Sequence, residues 1–292
     1  MAQPVRLDDK YQYRKPFRRQ AYDVAKVPAR FVRDRYLHSR ARGFFDEAVE
    51  RSEYDWTDLE RVEEYFEHAF RRRKPQYADP GQRPVRYFPG LRAQPVWDPG
   101  EFDFAASLVR HRHEILDELN TYQATREMAV HHQRLNEVGK WTVFYLHAAG
   151  SPNPEALELF PIASRATANI PGMGVVGQAY FSVLHPGTHI PPHHGPTNTK
   201  LRLQLRLDVP EGCEMRIGDH LHRWDDGHEI LIFDDSFQHE VWIRSEEPRS
   251  VLILDFWHPD LTQAELWALE TLDGWMPDRR RYKSLVKGVK HP

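Results

Sequence analysis

Four histidines fall within ten residues, at His185, His189, His193 and His194 in the run HPGTHIPPHHGPTN. Neutral imidazole nitrogens suit iron, zinc, copper or nickel. The intervening prolines and glycines make the run a rigid loop just ahead of a strand. A fifth histidine, His239, opens a β-type run in FDDSFQHEVW (Phe233–Trp242). A lone histidine ordinarily caps backbone groups; this density points to metal instead. Cys213 is the single cysteine, so a cysteine-built zinc module and an intramolecular disulfide framework are both excluded. Asp234 and Asp235 are as suited to a turn as to ligation. Ten residues past His239, Arg249 begins another strand. A hairpin centred near Glu246 sets His239 opposite Ile253 and puts Arg249 on the same face. The offset is about four residues, or roughly 13 Å. A five-carbon dicarboxylate on the metal, clamped at its far end by the Arg249 guanidinium, spans that gap.

These residues need a scaffold, and the pattern of the chain supplies one. From Lys140 onward the sequence reads as short strands: Trp141–His147, Gln178–Leu184, Leu201–Val209, Glu229–Phe233, His239–Ile243 and Val251–Trp257, punctuated by Gly, Pro, Asp and Ser. Many short strands with tight turns predict a sandwich or barrel. The cleanest is LRLQLRL, where Leu201, Leu203, Leu205 and Leu207 alternate with Arg202, Gln204 and Arg206, preceded by Lys200. Period two alone fits a half-solvated strand. The neighbouring histidines favour a polar face turned inward as a pocket wall, with the leucines under helices. Upstream, Leu59, Val62, Tyr65, Phe66, Ala69 and Phe70 recur at helical spacing within Ala41–Arg73. The run Arg71–Lys74 reads as a solvated helix end. A proline-rich loop from Asp79 to Pro99 precedes a helix over Glu101–Asn120, and a last helix is expected over Thr262–Asp273.

The sequence holds 292 residues with 17 histidines, 40 Lys plus Arg and 43 Asp plus Glu, for a formal net charge of -3. That balance argues against a dedicated nucleic-acid binder. An acid-binding site must therefore be a local arginine pocket, without help from a basic molecular field. No apolar run is long enough for a membrane span. Met1–Arg19 is charged and lacks the apolar centre of a secretory signal. A reducing, cytoplasmic setting is expected.

Five segments resemble the aspartyl/asparaginyl β-hydroxylase family of iron(II)- and 2-oxoglutarate-dependent dioxygenases. They are YFPGL (Tyr87–Leu91), FSVLHPGTHIPPHHGPTN (Phe181–Asn198), LRLQL (Leu201–Leu205), IFDDSFQHEVW (Ile232–Trp242) and DFWHPDLT (Asp255–Thr262). The resemblance implies a mainly β fold with flanking helices. Its core is a double-stranded β-helix, a cupin-like jelly roll, over residues 85–292 with a C-terminal helix, behind an N-terminal helical extension over 1–84. It implies Fe(II) held by His193 and His239, with 2-oxoglutarate and O2 as cosubstrates. Gly195 stands where most such oxygenases carry an aspartate, and water takes the third place in the family. By the same resemblance, Arg249 and Ser182 hold the distal carboxylate of 2-oxoglutarate and Arg202 helps with the ketoacid end. Gln204 is a departure, since the best-known members carry histidine there. Lys200 and His147 fall on the expected substrate side, and His185 and His189 shape the loop.

The implied activity is hydroxylation of an unactivated carbon, Cβ by analogy, on an Asp/Asn-type or other amino-acid residue. That residue is free, peptide-borne or carrier-bound, and succinate and CO2 are released. No protein acid or base beyond the metal ligands is needed. Two alternatives remain at this stage. One is a non-redox metal cupin, an isomerase or lyase acting on an acidic small molecule. The other is a binding module that keeps the roll without the metal.

Overall fold

The computed structural model describes residues 27–131, 138–148, 150–175, 177–224, 228–273 and 275, with side chains from residue 35 onward. Met1–Arg19 and His132 lie outside the described residues. Seven helices are described, α1 (Val27–Glu50), α2 (Glu60–Ala69), α3 (Asp103–Arg110), α4 (Arg112–Thr125), α5 (Pro154–Leu159), α6 (Pro161–Ala168) and α7 (Gln263–Asp273). The strands are β1 (Val96–Trp97), β2 (Ala129–Val130), β3 (Trp141–Ala148), β4 (Ser151–Pro152), β5 (Ala179–Leu184), β6 (His189–His193), β7 (Lys200–Asp208), β8 (Cys213–Ile217), β9 (His220–Arg223), β10 (Ile230–Phe233), β11 (His239–Ile243) and β12 (Arg249–Trp257).

They form two antiparallel sheets. The larger runs β1-β10-β7-β12-β5-β3-β2, with β4 added to β3, and the smaller runs β6-β11-β8-β9. From β5 to β12 the chain passes repeatedly from one sheet to the other, with only β8 and β9 consecutive in one sheet, as the implied jelly roll requires. The alternation in β7 resolves as expected: Leu201, Leu203, Leu205 and Leu207 belong to an apolar cluster with Leu108, Ile115, Leu119 and Ala163 of the covering helices. Each leucine buried this way contributes roughly 1.5–3 kcal/mol. The opposite face of the large sheet looks toward the small one. There Tyr180, Leu184, Val251 and Ile253 pack against Ile190, Cys213, Met215, Val241 and Ile243. A third cluster joins α1, α2 and α7.

Several expectations change. The Ala41–Arg73 segment is two helices, because the turn at Asp55–Asp58 interrupts it, with Asp55 Oδ1 accepting from Thr57 N at 2.7 Å. The Glu101–Asn120 helix breaks at His111, whose N–H bonds back three residues to Leu108 O and so tightens the turn. The histidine-rich segment is partly strand β6, not wholly loop. Most consequentially, β11 and β12 are not a hairpin. His239 pairs with His193 and Ile217, while Ile253 pairs with Gln204 and Tyr180. Residues 244–248 carry the chain from one sheet to the other, so His239 and Arg249 line the same interior from opposite walls.

Candidate active site

His193 is the last residue of β6 and His239 the first of β11, and the two are register partners. Their ring centroids lie 4.0 Å apart. Each Nδ1 donates to a main-chain oxygen two residues earlier, His193 to Pro191 O and His239 to Phe237 O, both at 2.9 Å. Those bonds fix the tautomer that leaves Nε2 as a lone-pair donor. Burial holds both rings neutral. It pushes His193 down to about 4 and His239 well below the usual histidine range, with Arg202 adding to the effect. Two neutral, oriented imidazoles fit a borderline divalent metal. Among the described residues no third His, Cys, Asp or Glu completes a ligand group with them.

The space beside His193 explains Gly195. A Cβ on Gly195 falls 2.1 Å from Asp235 Oδ1, so no side chain fits there. The Asp235 carboxylate already fills the place. It is buried, makes no hydrogen bond through either oxygen, and lies 3.3 Å from Arg202 Nη1. Arg202 is also forked onto Asp255 at 2.7 and 3.0 Å. Asp255 further binds Lys200 Nζ and accepts from Gln178 Nε2 at 2.7 Å. Burial raises the Asp255 carboxyl, but Arg202 and Lys200 outweigh it and hold it far below the usual range. At this end of the interior every charge has a partner.

Arg249 differs. It is 2% exposed, and its Nη2 donates to the neutral Gln204 Oε1. Its guanidinium lies over the Trp224 ring at 5.7 Å, and Nε has no acceptor among the described residues. Desolvation pulls it down to about 10. A buried cation without a counter-ion is costly, and its geometry suits a bidentate carboxylate. Ser182, on the same inward face of β5, accepts from Trp141 Nε1 at 3.0 Å. Tyr180 shares that face, and burial pushes its phenol up to about 12.

The structure thus gathers His193, His239, Arg202, Gln204, Ser182 and Arg249 on the interior walls. Lys200 is committed to Asp255 and lines a small cavity with Arg86, Thr197 and Thr199. His147 is buried at the end of β3 with Nδ1 unpartnered, and no hydrogen bond or ion pair joins it to the other site residues. His189 stacks on Trp242 at 5.6 Å, and His185 approaches Thr142, so both shape the loop. A cleft of about 460 Å³ lined by Phe104, Ile162 and Arg165 touches none of these groups. The sequence assigned no role to Asp255, Tyr180 or Trp224. For the first two, the period-two rule extended along β12 and β5 is the signal that finds them.

A jelly roll with a paired-histidine site defines the class, and comparison with known proteins gives the family. Residues 109–259 match the profile described as aspartyl/asparaginyl beta-hydroxylase. The chain belongs to that family of hydroxylases. It is 35% identical over 218 residues to the human aspartyl/asparaginyl beta-hydroxylase, covering 72% of this chain but only 29% of the human protein. An ornithine lipid ester-linked acyl 2-hydroxylase from Rhizobium tropici is 31% identical over 195 residues, covering 63% of this chain and 68% of that protein. A prolyl-4-hydroxylase structure from Pseudomonas putida aligns with a TM-score of 0.33 and 16% identity, over 52% of this chain and 87% of that one.

Proposed function

We propose that the protein is an Fe(II)- and 2-oxoglutarate-dependent oxygenase that hydroxylates an unactivated carbon of an amino-acid residue. The observation that carries this is the pairing of two neutral imidazole donors with a buried arginine that lacks a counter-ion among the described residues. His193 and His239 hold the iron through Nε2. Arg249 takes the distal carboxylate, Gln204 orients the guanidinium, and Ser182 keeps its hydroxyl hydrogen for the same carboxylate. Arg202 stands beside the histidines, its charge balanced by Asp255 and Asp235. When bound, iron with 2-oxoglutarate and O2 supplies the oxidising chemistry, with one oxygen atom passing to the substrate and succinate and CO2 leaving. The chain contributes orientation and a dry, preorganised interior.

The test is O2-dependent succinate formation, with mass spectrometry for the addition of one oxygen atom. The substrates to screen are Asp- and Asn-containing peptides, free amino acids and, given the Rhizobium relative's name, ester-linked acyl lipids. His193→Ala and His239→Ala should each abolish turnover; full activity in both sinks the reading. Tight Zn(II) or Mn(II) binding with no 2-oxoglutarate turnover under air would mark the non-redox cupin instead.

A further inference from the structure

The two proposed metal ligands sit at strand termini, where a β-ladder is weakest. His193 ends β6 and His239 begins β11, and the register shifts immediately beyond, between His239 and Val241. The ladder with β8 runs unbroken through His239 and Ile217, so it is the β6 side, which carries His193, that sheet pairing leaves least fixed. A segment outside the two sheets supplies the missing ties. Residues 79–88 run past both histidine-bearing turns and bond to each.

At the turn before His239, Gln82 Nε2 donates to Asp234 Oδ2 at 2.8 Å and to Ser236 Oγ at 3.0 Å. Arg83 N donates to Ser236 O at 3.0 Å, and Gln238 N to Gly81 O at 3.3 Å. At the turn after His193, Arg86 N donates to Pro196 O at 2.9 Å. Asn198 closes a two-point clamp on Phe88, accepting from its N–H at 2.7 Å and donating to its carbonyl at 2.8 Å. Gln82 and Asn198 are 1% and 2% exposed, so water does not substitute for these bonds. The strap is itself anchored to α2. His68 Nδ1 bonds Tyr87 O at 3.0 Å, and Tyr65 packs on Phe88 at 5.4 Å.

We infer that residues 79–88 form a strap that sets the distance and angle between His193 and His239, with Gln82 and Asn198 as its positioning residues. The inference rests on the reading of those histidines as metal ligands. It also gives the helical extension a task, because α2 holds the strap that holds the site. Outer hydrogen-bond partners of metal sites typically change affinity by about 10–100-fold, and a strap acting on both ligands belongs at the lower end of that range.

Co(II) is the probe, followed by its visible d–d absorption during titration of the full chain. Gln82→Met and Asn198→Leu keep side chains of similar reach and remove the amide bonds. Each should weaken Co(II) binding about 10-fold and change the band shape. Leu205→Ala, a loss in the helix-covered core, should lower the melting temperature at least as much while leaving Co(II) affinity and spectrum as in the parent. If Gln82→Met is insoluble, Gln82→Asn, one methylene short, carries the same expectation. A folded variant with parental Co(II) affinity and spectrum overturns the strap. Failure of the parent to bind Co(II) overturns the metal reading beneath it, and the two failures are told apart by that first titration.

Discussion

Arg202 and Arg249 lie on adjacent strands and face the same interior, yet they stand in opposite electrostatic regions. Around Arg202, two carboxylates, with a lysine and a glutamine amide on Asp255, balance the charge, although Asp235 itself accepts no hydrogen bond. Around Arg249, a glutamine oxygen and an indole face are the neighbours, and one N–H has no acceptor. A satisfied buried charge belongs to the scaffold; an unsatisfied one awaits an anion. The same residue type is therefore paired within the chain at one end of the interior and open to an anion at the other.

The contrast can be broken most directly at the satisfied end. Asp255→Asn should destabilise the fold by about 3–5 kcal/mol, because Lys200 loses its partner and Arg202 loses its fork. Urea unfolding measures it, and an unchanged midpoint would show that the network is not structural. Arg249→Met should do the reverse, weakening 2-oxoglutarate about 100-fold in calorimetric titration of Mn(II)-loaded protein. Its melting temperature should hold or rise, since the variant removes a buried cation that has no counter-ion among the described residues. A large loss of stability there would place Arg249 in the scaffold instead.

A smaller effect tests the packing between the two histidine turns. Gly195→Ala forces a methyl group onto the Asp235 carboxylate and should cost about 1–3 kcal/mol by urea unfolding. The smallest is a pH effect at the edge of the scaffold. Burial holds His258 down to about 4, against an opposing contribution from Asp260. Between about 4 and the ordinary histidine value near 6.5, the unfolded chain binds more protons at this position than the folded one. Stability should thus fall on acidification through that window. His258→Gln should flatten the slope, and an unaltered slope would assign the acid sensitivity to other groups.

Much of this was readable in one dimension, and the exceptions share a cause. The β7 alternation and the histidine run specified a polar interior wall because pattern and chemistry coincided over a few residues. The link between β11 and β12 is ambiguous in sequence because a five-residue turn-rich segment looks the same in a hairpin and in a crossover. Only pairing to distant β6 and β5 separates them. β8 and β9 carry little strand signal because EMRIGDHLHR interleaves charge with few β-branched residues. Asp235 reads correctly as a turn residue. Its second identity, as the group that fills the space beside Gly195, arises from contact across forty positions.

The alternation along β7 also divides the codons from 201 to 207 by the kind of failure they produce. Changes at 201, 203, 205 and 207 should surface as lost soluble protein, while a change at 204, whose Oε1 accepts from Arg249, should surface as altered binding in the interior. Inserting or deleting one residue in that stretch exchanges the two sets at once, turning leucine toward the cleft and arginine beneath the helices. Such a strand tolerates drift by substitution, within each set's own rules, far better than drift by length.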